Sequence, residues 1–472
     1  MPAYDLFVIG TGPAGQRAAI RAAKLGRKVA IAERREVVGG VCINTGTIPS
    51  KTLREAILYL TGYGQHNIYG TSYQVKDNIT LEDLMLRTSY VIRRENDVTL
   101  AQMRRNKVDV VFGEASFVTP NEILVKGHSE THRVSATNIV IAVGTHPAPP
   151  PGVSCDGEQL IDSDGIITMK KLPRTLTVVG AGIIGLEYAS IFATLGIEVT
   201  VVDKRTRLLE FVDTEIVESL SYNLRQRGTT MRLGEEVRTI SCQGGRTVAE
   251  LVSGKRILSD MVLFSAGRLG STAGLNLEAS GLSADDRGRI AVDDQYRTRV
   301  PHIFAVGDVI GFPSLASTAM EQGRLASLHA FGQKAEPMPK LFPIGIYTIP
   351  EISMIGPTEE ELTRDAIPYE IGIARYKEIA RGQILGDENG LLKLIFHRET
   401  RKLLAAHAIG TGATEMIHIA QAVITFGGSI SYFLDSVFNY PTLAECYKVA
   451  ALDCANKLEE SSAADATLAS SQ

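Results

Sequence analysis

Leu6-Phe7-Val8-Ile9-Gly10-Thr11-Gly12-Pro13-Ala14-Gly15 is an apolar strand that runs into three closely spaced glycines. A helical pattern from Arg17 to Leu25 follows, and then a second strand from Val29 to Ala32 that ends at Glu33. Strand, glycine turn, helix and strand make a βαβ unit. The first glycine of such a unit permits a tight turn, the second lets a pyrophosphate approach the backbone, and the third lets the helix pack on the strand. The helix N-terminus then faces the phosphates. Glu33, roughly 20 residues beyond Gly10, stands where a carboxylate accepts hydrogen bonds from ribose hydroxyls.

The same arrangement recurs. Leu176-Thr177-Val178-Val179 leads into Gly180-Ala181-Gly182-Ile183-Ile184-Gly185, a helix through Leu195, and Val199-Thr200-Val201-Val202-Asp203. One glycine motif is weak evidence in a chain with 44 glycines. Strand, turn, helix and terminal acid in register twice is much stronger. Gly180 follows Gly10 by 170 residues, a layout in which two dinucleotides can meet.

The chain has 472 residues, enough for several cores and for burying a large cofactor. Hydrophobic residues make up 44% and charged ones 22%, an ordinary globular balance. No apolar run reaches the roughly 18 residues of a membrane span, and Met1 to Asp5 carry no basic region of a signal peptide. A soluble, cytoplasmic protein is expected. A net charge of −4, from 53 acids and 49 bases, argues against a basic face for nucleic acid or anionic lipid. Cys42, Cys155, Cys242, Cys446 and Cys454 are too scattered for a secreted disulfide framework. Cys446 and Cys454 would lie roughly 12 Å apart along a helix, too far for a bridge. No metal-ligand spacing is present, so no metal is expected.

Further stretches carry a resemblance over nearly the whole chain to the pyridine nucleotide-disulfide oxidoreductase family of flavoproteins. Ile139-Val140-Ile141-Ala142-Val143-Gly144-Thr145 resembles the strand and turn that end the first FAD segment, with Val143 in place of the usual Thr. Ala266-Gly267-Arg268 resembles the turn where the chain leaves the NAD(P) domain. Ile303-Phe304-Ala305-Val306-Gly307-Asp308 resembles the segment whose Asp the family places on the ribityl chain of FAD. Ser314 is a candidate N-cap for a helix running to about Phe331. By resemblance that helix start, at Leu315, Ala316 and Ser317, points at the N1/O2 edge of the flavin, where a helix N-terminus stabilises negative charge.

The resemblance implies an α/β chain with two Rossmann-like dinucleotide-binding domains, for FAD and then NAD(P), and an α+β C-terminal dimerisation domain. The implied boundaries are 1–150 for the first FAD segment, 151–272 for NAD(P) and 273–341 for the central segment. Residues 342–458, with Tyr347-Thr348-Ile349-Pro350-Glu351, resemble the dimerisation domain, so a homodimer or a higher homo-oligomer is expected. The Ser- and Ala-rich stretch 459–472 reads as a tail without order. The implied cofactor-binding residues of the first unit are Gly10, Gly12, Pro13, Ala14, Gly15, Glu33 and Arg34. Gly40, Val41, Cys42, Thr47 and Lys51 follow in the next loop, with Ala115, Ala142, Gly144, Gly307 and Asp308 further along. Those in and beside the second unit are Gly180, Gly182, Ile183, Ile184, Gly185, Asp203, Lys204, Arg205, Gly267 and Arg268.

In the disulfide reductases of the family, the loop after the second strand carries Cys-x-x-x-x-Cys. Here it reads Gly39-Gly40-Val41-Cys42-Ile43-Asn44-Thr45-Gly46-Thr47-Ile48-Pro49-Ser50-Lys51. Thr47 takes the second position, and a hydroxyl has no thiol-disulfide chemistry. Cys42 then reads as a structural thiol beside the flavin. Near the C-terminus the reductases place His-Pro-Thr, whereas this chain has Asn439-Tyr440-Pro441-Thr442. A phenol with a reference pKa of about 10 is a poor general base at neutral pH. Thr442 and Glu445 read as a capping box. Loss of both the second Cys and the His removes one coherent function, and the remaining residues are similar to the soluble, Si-specific transhydrogenase branch of the family.

By resemblance, Lys51 and Glu187 are the catalytic pair beside flavin N5, where a cation stabilises developing negative charge. The implied reaction passes hydride from NADPH to FAD and then to NAD, with both nucleotides using one site. Asp203 suits the 2′-hydroxyl of NAD, and Lys204, Arg205 and Arg207 suit the 2′-phosphate of NADP. An NAD(P)H oxidase or a quinone or dye reductase of the same family is the alternative enzyme. A nucleotide-sensing protein that holds FAD without turnover is the alternative outside enzymology.

Overall fold

The computed structural model describes residues 3–150, 153 and 158–470. Met1, Pro2, Cys155, the boundary expected at residue 151 and the last two residues of the expected tail lie outside them. The chain forms two compact units, one of residues 1–53, 80–172 and 264–338, the other of residues 54–79, 173–263 and 339–472.

The first unit is built on Ala3–Ile9, which lies in parallel between Val29–Glu33 (Val8 opposite Ile31) and Thr131–Ile141 (Val8 opposite Val140). Asp109–Phe112 extends the sheet beyond Val29–Glu33, and Ile303–Ala305 joins Thr131–Ile141, both in parallel. Leu6, Phe7, Val8 and Ile9 are all buried, as a strand covered on both faces requires, which is why they form an uninterrupted apolar run. The helix Pro13–Lys24 starts a full turn before the periodic pattern does. Gly12 is its extended N-cap and Pro13 its first residue, where a missing N–H costs nothing. This helix packs on Ala316–Ala330 through small residues, and a Cβ on Gly323 would overlap the carbonyl of Ala14.

In the second unit Thr230–Leu233, Glu198–Asp203, Thr175–Val179 and Met261–Phe264 lie side by side in that order. The first three are parallel, with Val201 opposite Val178 and Met231. The C-terminal part of this unit is an antiparallel five-stranded sheet in the order Ile344–Ile346, Ile352–Ile355, Leu403–Ile409, Leu391–His397, Tyr369–Arg375. Helices Ala413–Thr425 and Glu445–Ser470 accompany it, and their shared core includes Phe433 stacked on Tyr447 at 5.3 Å. Cys446 and Cys454 are thiols in this core, and burial pushes each up to about 12.

Two expectations near the C-terminus change. The helix that begins at Glu445 continues to Ser470, through most of the stretch read as lacking order. Alanine-rich sequence extends an existing helix readily because no new nucleus is needed. The capping box is not formed. Thr442 Oγ1 donates instead to the carbonyl of Asn439 at 2.7 Å, and Glu445 Oε2 is buried without a hydrogen-bond partner. A threonine hydroxyl beside a turn finds a local carbonyl as easily as a helix N–H.

Candidate flavin and nucleotide sites

The three glycines of the first turn have three different reasons to be glycine. Gly10 has φ +104°, and a Cβ on it would overlap the carbonyl of Ala142. A Cβ on Gly12 would meet nothing, so the backbone there is open to a ligand. A Cβ on Gly15 would overlap the Gly10 carbonyl, so the helix closes on the turn only without one. Pro13 and Ala14 form the first turn of the helix behind them.

Glu33 is buried at the end of its strand. It accepts from the Thr11 hydroxyl, from Thr11 N at 3.3 Å and from Arg35 N at 3.0 Å. Thr11 Oγ1 in turn accepts from Gly39 N at 2.9 Å. Thr11 therefore ties the glycine turn, the acid and the following loop together, a role the sequence reading missed. The only sequence cue was a polar residue between the glycines. Arg34 is exposed, and Gly40 approaches so closely that a Cβ on it would lie 3.0 Å from Gly12 Cα.

In that loop the Cys42 thiol is hydrogen-bonded to the Thr47 side chain. Burial raises its pKa, and the Thr47 bond and the Lys51 charge offset this only in part. Val41 is half-buried beside Cys42, and Lys51 Nζ donates to Ser50 Oγ at 3.3 Å. Thr145 Oγ1 donates to Asp308 Oδ2 at 3.4 Å and accepts from Arg268 Nε at 2.9 Å. Burial raises the pKa of Asp308 against the opposing pull of Arg268 and Thr145. Arg268 also reaches Ser163 and Asp164, so it is a fixed part of this corner. Gly144 and Gly267 are open, the side chain of Ala142 is buried, and Gly307 N donates to Gln322 at 2.8 Å. Ala115 has its side chain in the core, which leaves only its backbone for a ligand.

Ser314 is not the expected cap. Its hydroxyl donates to Gly311 O at 3.1 Å, and extended Leu315 occupies the N-cap without a side-chain bond. Helices Leu81–Arg105 and Thr214–Gln226 begin with a side-chain cap and acids in the first turn. Pro13–Lys24, Ile183–Thr194 and Ala316–Ala330 have neither. Their free N–H groups and positive dipole ends are left for an external acceptor. These three ends follow the two glycine turns and the Gly307–Asp308 corner, which fits a flavin dinucleotide on the first unit and a nicotinamide dinucleotide on the second.

In the second turn Gly180 has φ +102°, Gly182 is open, and Ile183 and Ile184 start the helix ahead of buried Gly185. Ala181 N donates to Asp203 Oδ2 at 2.6 Å. Arg205 clasps the same carboxylate, with Nε 3.0 Å from Oδ1 and Nη2 2.7 Å from Oδ2. Lys204 is exposed beside them. Arg207 departs from expectation: it turns to Val212 O, Thr214 and Glu360, so only Lys204 and Arg205 remain near Asp203. Glu187, buried on the helix, accepts from Tyr347 N at 2.9 Å, and Ser190 Oγ accepts from Ile349 N at 3.0 Å. Buried Arg54, on the helix that carries Lys51, reaches Thr348 O and Glu351, each at 3.2 Å.

Asp213, Glu215 and Glu359 bring carboxylate oxygens within 4.8 Å of one another. Lys393 Nζ occupies their midst, bonded to Asp213 and Glu359, so the group is a buried ion cluster. Tyr440 is 73% exposed.

The fold and the paired glycine turns define an oxidoreductase with two dinucleotide-binding domains. Residues 4–323 match the pyridine nucleotide-disulphide oxidoreductase family and residues 342–451 its dimerisation domain, and the chain belongs to that family. It is 55% identical over 460 residues to a soluble pyridine nucleotide transhydrogenase of Mycobacterium tuberculosis, covering 97% of this chain and 98% of that one. It is 45% identical over 461 residues to a protein of the same name from Colwellia psychrerythraea, covering 96% and 98%. Among solved structures, an HOCl-induced flavoprotein disulfide reductase of Escherichia coli superposes with a TM-score of 0.86 at 27% identity, over 96% of this chain and 99% of that one. No helix among the described residues is long and apolar enough to cross a membrane.

Proposed function

We propose that this chain is an FAD-dependent transhydrogenase that moves hydride reversibly between NADPH and NAD, with no redox disulfide. The observation that carries this reading is the Cys42–Thr47 pair. Residues suited to a flavin lie around it, yet a hydroxyl stands where a second sulfur would be needed. The names of the Mycobacterium and Colwellia relatives agree with it.

FAD, when bound, supplies the two-electron carrier that takes hydride from one nicotinamide and gives it to another. The chain's own residues hold and polarise it. Backbone N–H groups at Gly12, Gly40 and the first turn after Pro13 would hold the pyrophosphate, Glu33 the ribose hydroxyls and Asp308 the ribityl chain. The uncapped helix start at Leu315, Ala316 and Ser317, with Lys51, would place positive charge at the flavin ring, and Glu187 is proposed as the second catalytic residue. Gly180, Gly182 and the helix from Ile183 hold the pyrophosphate of either nucleotide in turn. One nucleotide site used twice makes the kinetics ping-pong, and positioning supplies most of the rate.

Residues 1–150 and 273–341 are assigned to FAD, 151–272 to NAD(P) and 342–458 to dimerisation. Phe426, Val437 and Tyr440 are large apolar residues exposed at 89%, 95% and 73%, which favours a second copy covering them. Anaerobic stopped-flow mixing tests the reaction. NADPH is expected to bleach the visible flavin band and NAD to restore it, with lipoamide and glutathione disulfide inert. Failure of either half-reaction overturns the assignment, and fast reoxidation by oxygen or a quinone in place of NAD converts it to an oxidase or quinone reductase.

A further inference from the structure

Each oxygen of the Asp203 carboxylate carries one donor that is fixed and one that can move. Oδ1 accepts from Arg205 N at 2.8 Å and from Arg205 Nε at 3.0 Å. Oδ2 accepts from Ala181 N at 2.6 Å and from Arg205 Nη2 at 2.7 Å. A carboxylate has about four acceptor positions, so Asp203 is saturated by its own chain. The backbone is pinned, since Glu235 N donates to Asp203 O at 3.1 Å and Gly234 N to Arg205 O at 3.0 Å. Only the Arg205 side chain, 41% exposed, is free to swing.

The corresponding acid of the first unit shows what is unusual. Glu33 has the same donor two residues on, Arg35 N at 3.0 Å, but its other contacts come from Thr11. At Asp203 a guanidinium fork takes one position on each oxygen. Those are the two positions that the adjacent 2′- and 3′-hydroxyls of a ribose would fill.

We infer that Arg205 is a specificity latch: it must leave Asp203 for a nucleotide with a free 2′-hydroxyl, and it stays on Asp203 for one with a 2′-phosphate. The inference deepens the proposed function, on which it rests. A ribose with both hydroxyls free offers two O–H donors, and they reach the carboxylate only after Nε and Nη2 withdraw. A 2′-phosphate has no proton to donate there. A guanidinium has five N–H donors, of which two lie on Asp203, so three remain to meet the phosphate while the pair stays intact. The retained pair also neutralises a carboxylate that would otherwise repel the phosphate. Burial works against the charged form of Asp203, but its hydrogen bonds from Arg205 and Ala181 hold the pKa below the usual range, so the pair is ionic at neutral pH.

The consequence is a change of opposite sign for the two nucleotides on removing one side chain. Calorimetric titration of the FAD-loaded full chain with ADP-ribose and with its 2′-phosphate reads the adenosine end alone, without hydride transfer. Arg205→Ala is expected to weaken the 2′-phosphate ligand by about tenfold or more. It is expected to tighten ADP-ribose by about two- to fivefold, the scale of a half-exposed ion pair that no longer has to open. Asp203→Asn should do the reverse, weakening ADP-ribose and sparing its 2′-phosphate, and Arg205→Lys should keep the charge but lose the fork, tightening ADP-ribose as the alanine variant does. If Arg205→Ala moves both affinities in the same direction, or leaves ADP-ribose unchanged, the latch is wrong while the proposed reaction stands. If the unmodified chain binds neither ligand, the nucleotide site itself is wrong and the latch falls with it.

Discussion

Glu187 Oε1 accepts a hydrogen bond from the backbone N–H of Tyr347 at 2.9 Å, and the acid is buried on the helix that follows the second glycine turn. Its orientation is therefore set by the main chain of residues 347–351, the segment that Ser190 and Arg54 also hold. Glu187→Gln keeps an acceptor for Tyr347 N and removes the charge. Flavin reduction by NADPH is expected to slow by about tenfold to a hundredfold, with stability changed by less than about 1 kcal/mol. Glu187→Leu removes the acceptor of the Tyr347 N–H and is expected to cost about 1–3 kcal/mol as well. Stopped-flow rates and denaturant midpoints on both variants separate the two effects.

Cys42 is a thiol whose pKa is raised, first by burial and then by Asp308 and Glu95, against the Thr47 hydrogen bond and Lys51. The neutral thiol therefore prevails at pH 7, and its thiolate forms only above the ordinary cysteine range. Cys42→Ser is expected to leave transhydrogenation within about twofold, since serine keeps a hydrogen bond to Thr47. Alkylation of Cys42 by iodoacetamide should be slow at neutral pH and accelerate only above the range of an ordinary cysteine. Abolished turnover in a serine variant that still holds its flavin would return sulfur to the electron path.

Lys393 is 1% exposed, as is Asp213, and its ammonium lies 3.0 and 3.1 Å from the two oxygens of that carboxylate and also on Glu359. Burial alone would lower the lysine pKa, but Glu359 and Asp213 outweigh it and the net shift is upward. A raised lysine contributes stability that is complete below its unfolded pKa of about 10.4 and is lost as pH rises through the higher folded value. Lys393→Met removes the shared cation of Asp213, Glu215 and Glu359 and is expected to cost about 3–5 kcal/mol at neutral pH. Adding Asp213→Asn and Glu359→Leu should recover much of that loss, because a buried pair contributes little beyond a neutral replacement and Asn keeps the helix cap on Glu215 N. Urea unfolding of the three chains measures both values.

The parts of the fold legible in sequence are those fixed by covalent geometry and period. Gly10 needs a positive φ, Gly15 needs the absence of a Cβ, and the apolar strand beside them needs two covered faces. Those requirements act within a few residues, so a single motif reports them. Polar side chains with several near-equal partners were less legible. Thr442 chose Asn439 O over a helix N–H, Ser314 chose Gly311 O, and Arg207 chose partners as distant in sequence as Glu360. Each choice is decided by tertiary neighbours that a local pattern does not contain. Thr11 is the same case in a functional place, since its link to Glu33 needs Gly39 brought back over the turn.

His407 is fully buried in the strand beside this ion cluster, with Nε2 3.0 Å from the carbonyl of Pro357 and Nδ1 without a hydrogen-bond partner. Burial lowers its pKa, and the attraction of Asp213 and the Pro357 bond offset this only in part. The neutral ring with hydrogen on Nε2 satisfies Pro357. In the unfolded chain the ring takes a proton near pH 6.5, whereas in the folded chain it does so only at a lower pH. Between those two values the unfolded state holds one more proton, so stability falls with acidification by about 1.4 kcal/mol per pH unit from this group. His407→Gln keeps an N–H for Pro357 and removes the titration. Its unfolding free energy is therefore expected to drop less than the parent's between pH 6.5 and pH 5.5, by up to about 1 kcal/mol. Equal losses in the two chains would mean that folding does not lower the ring's proton affinity.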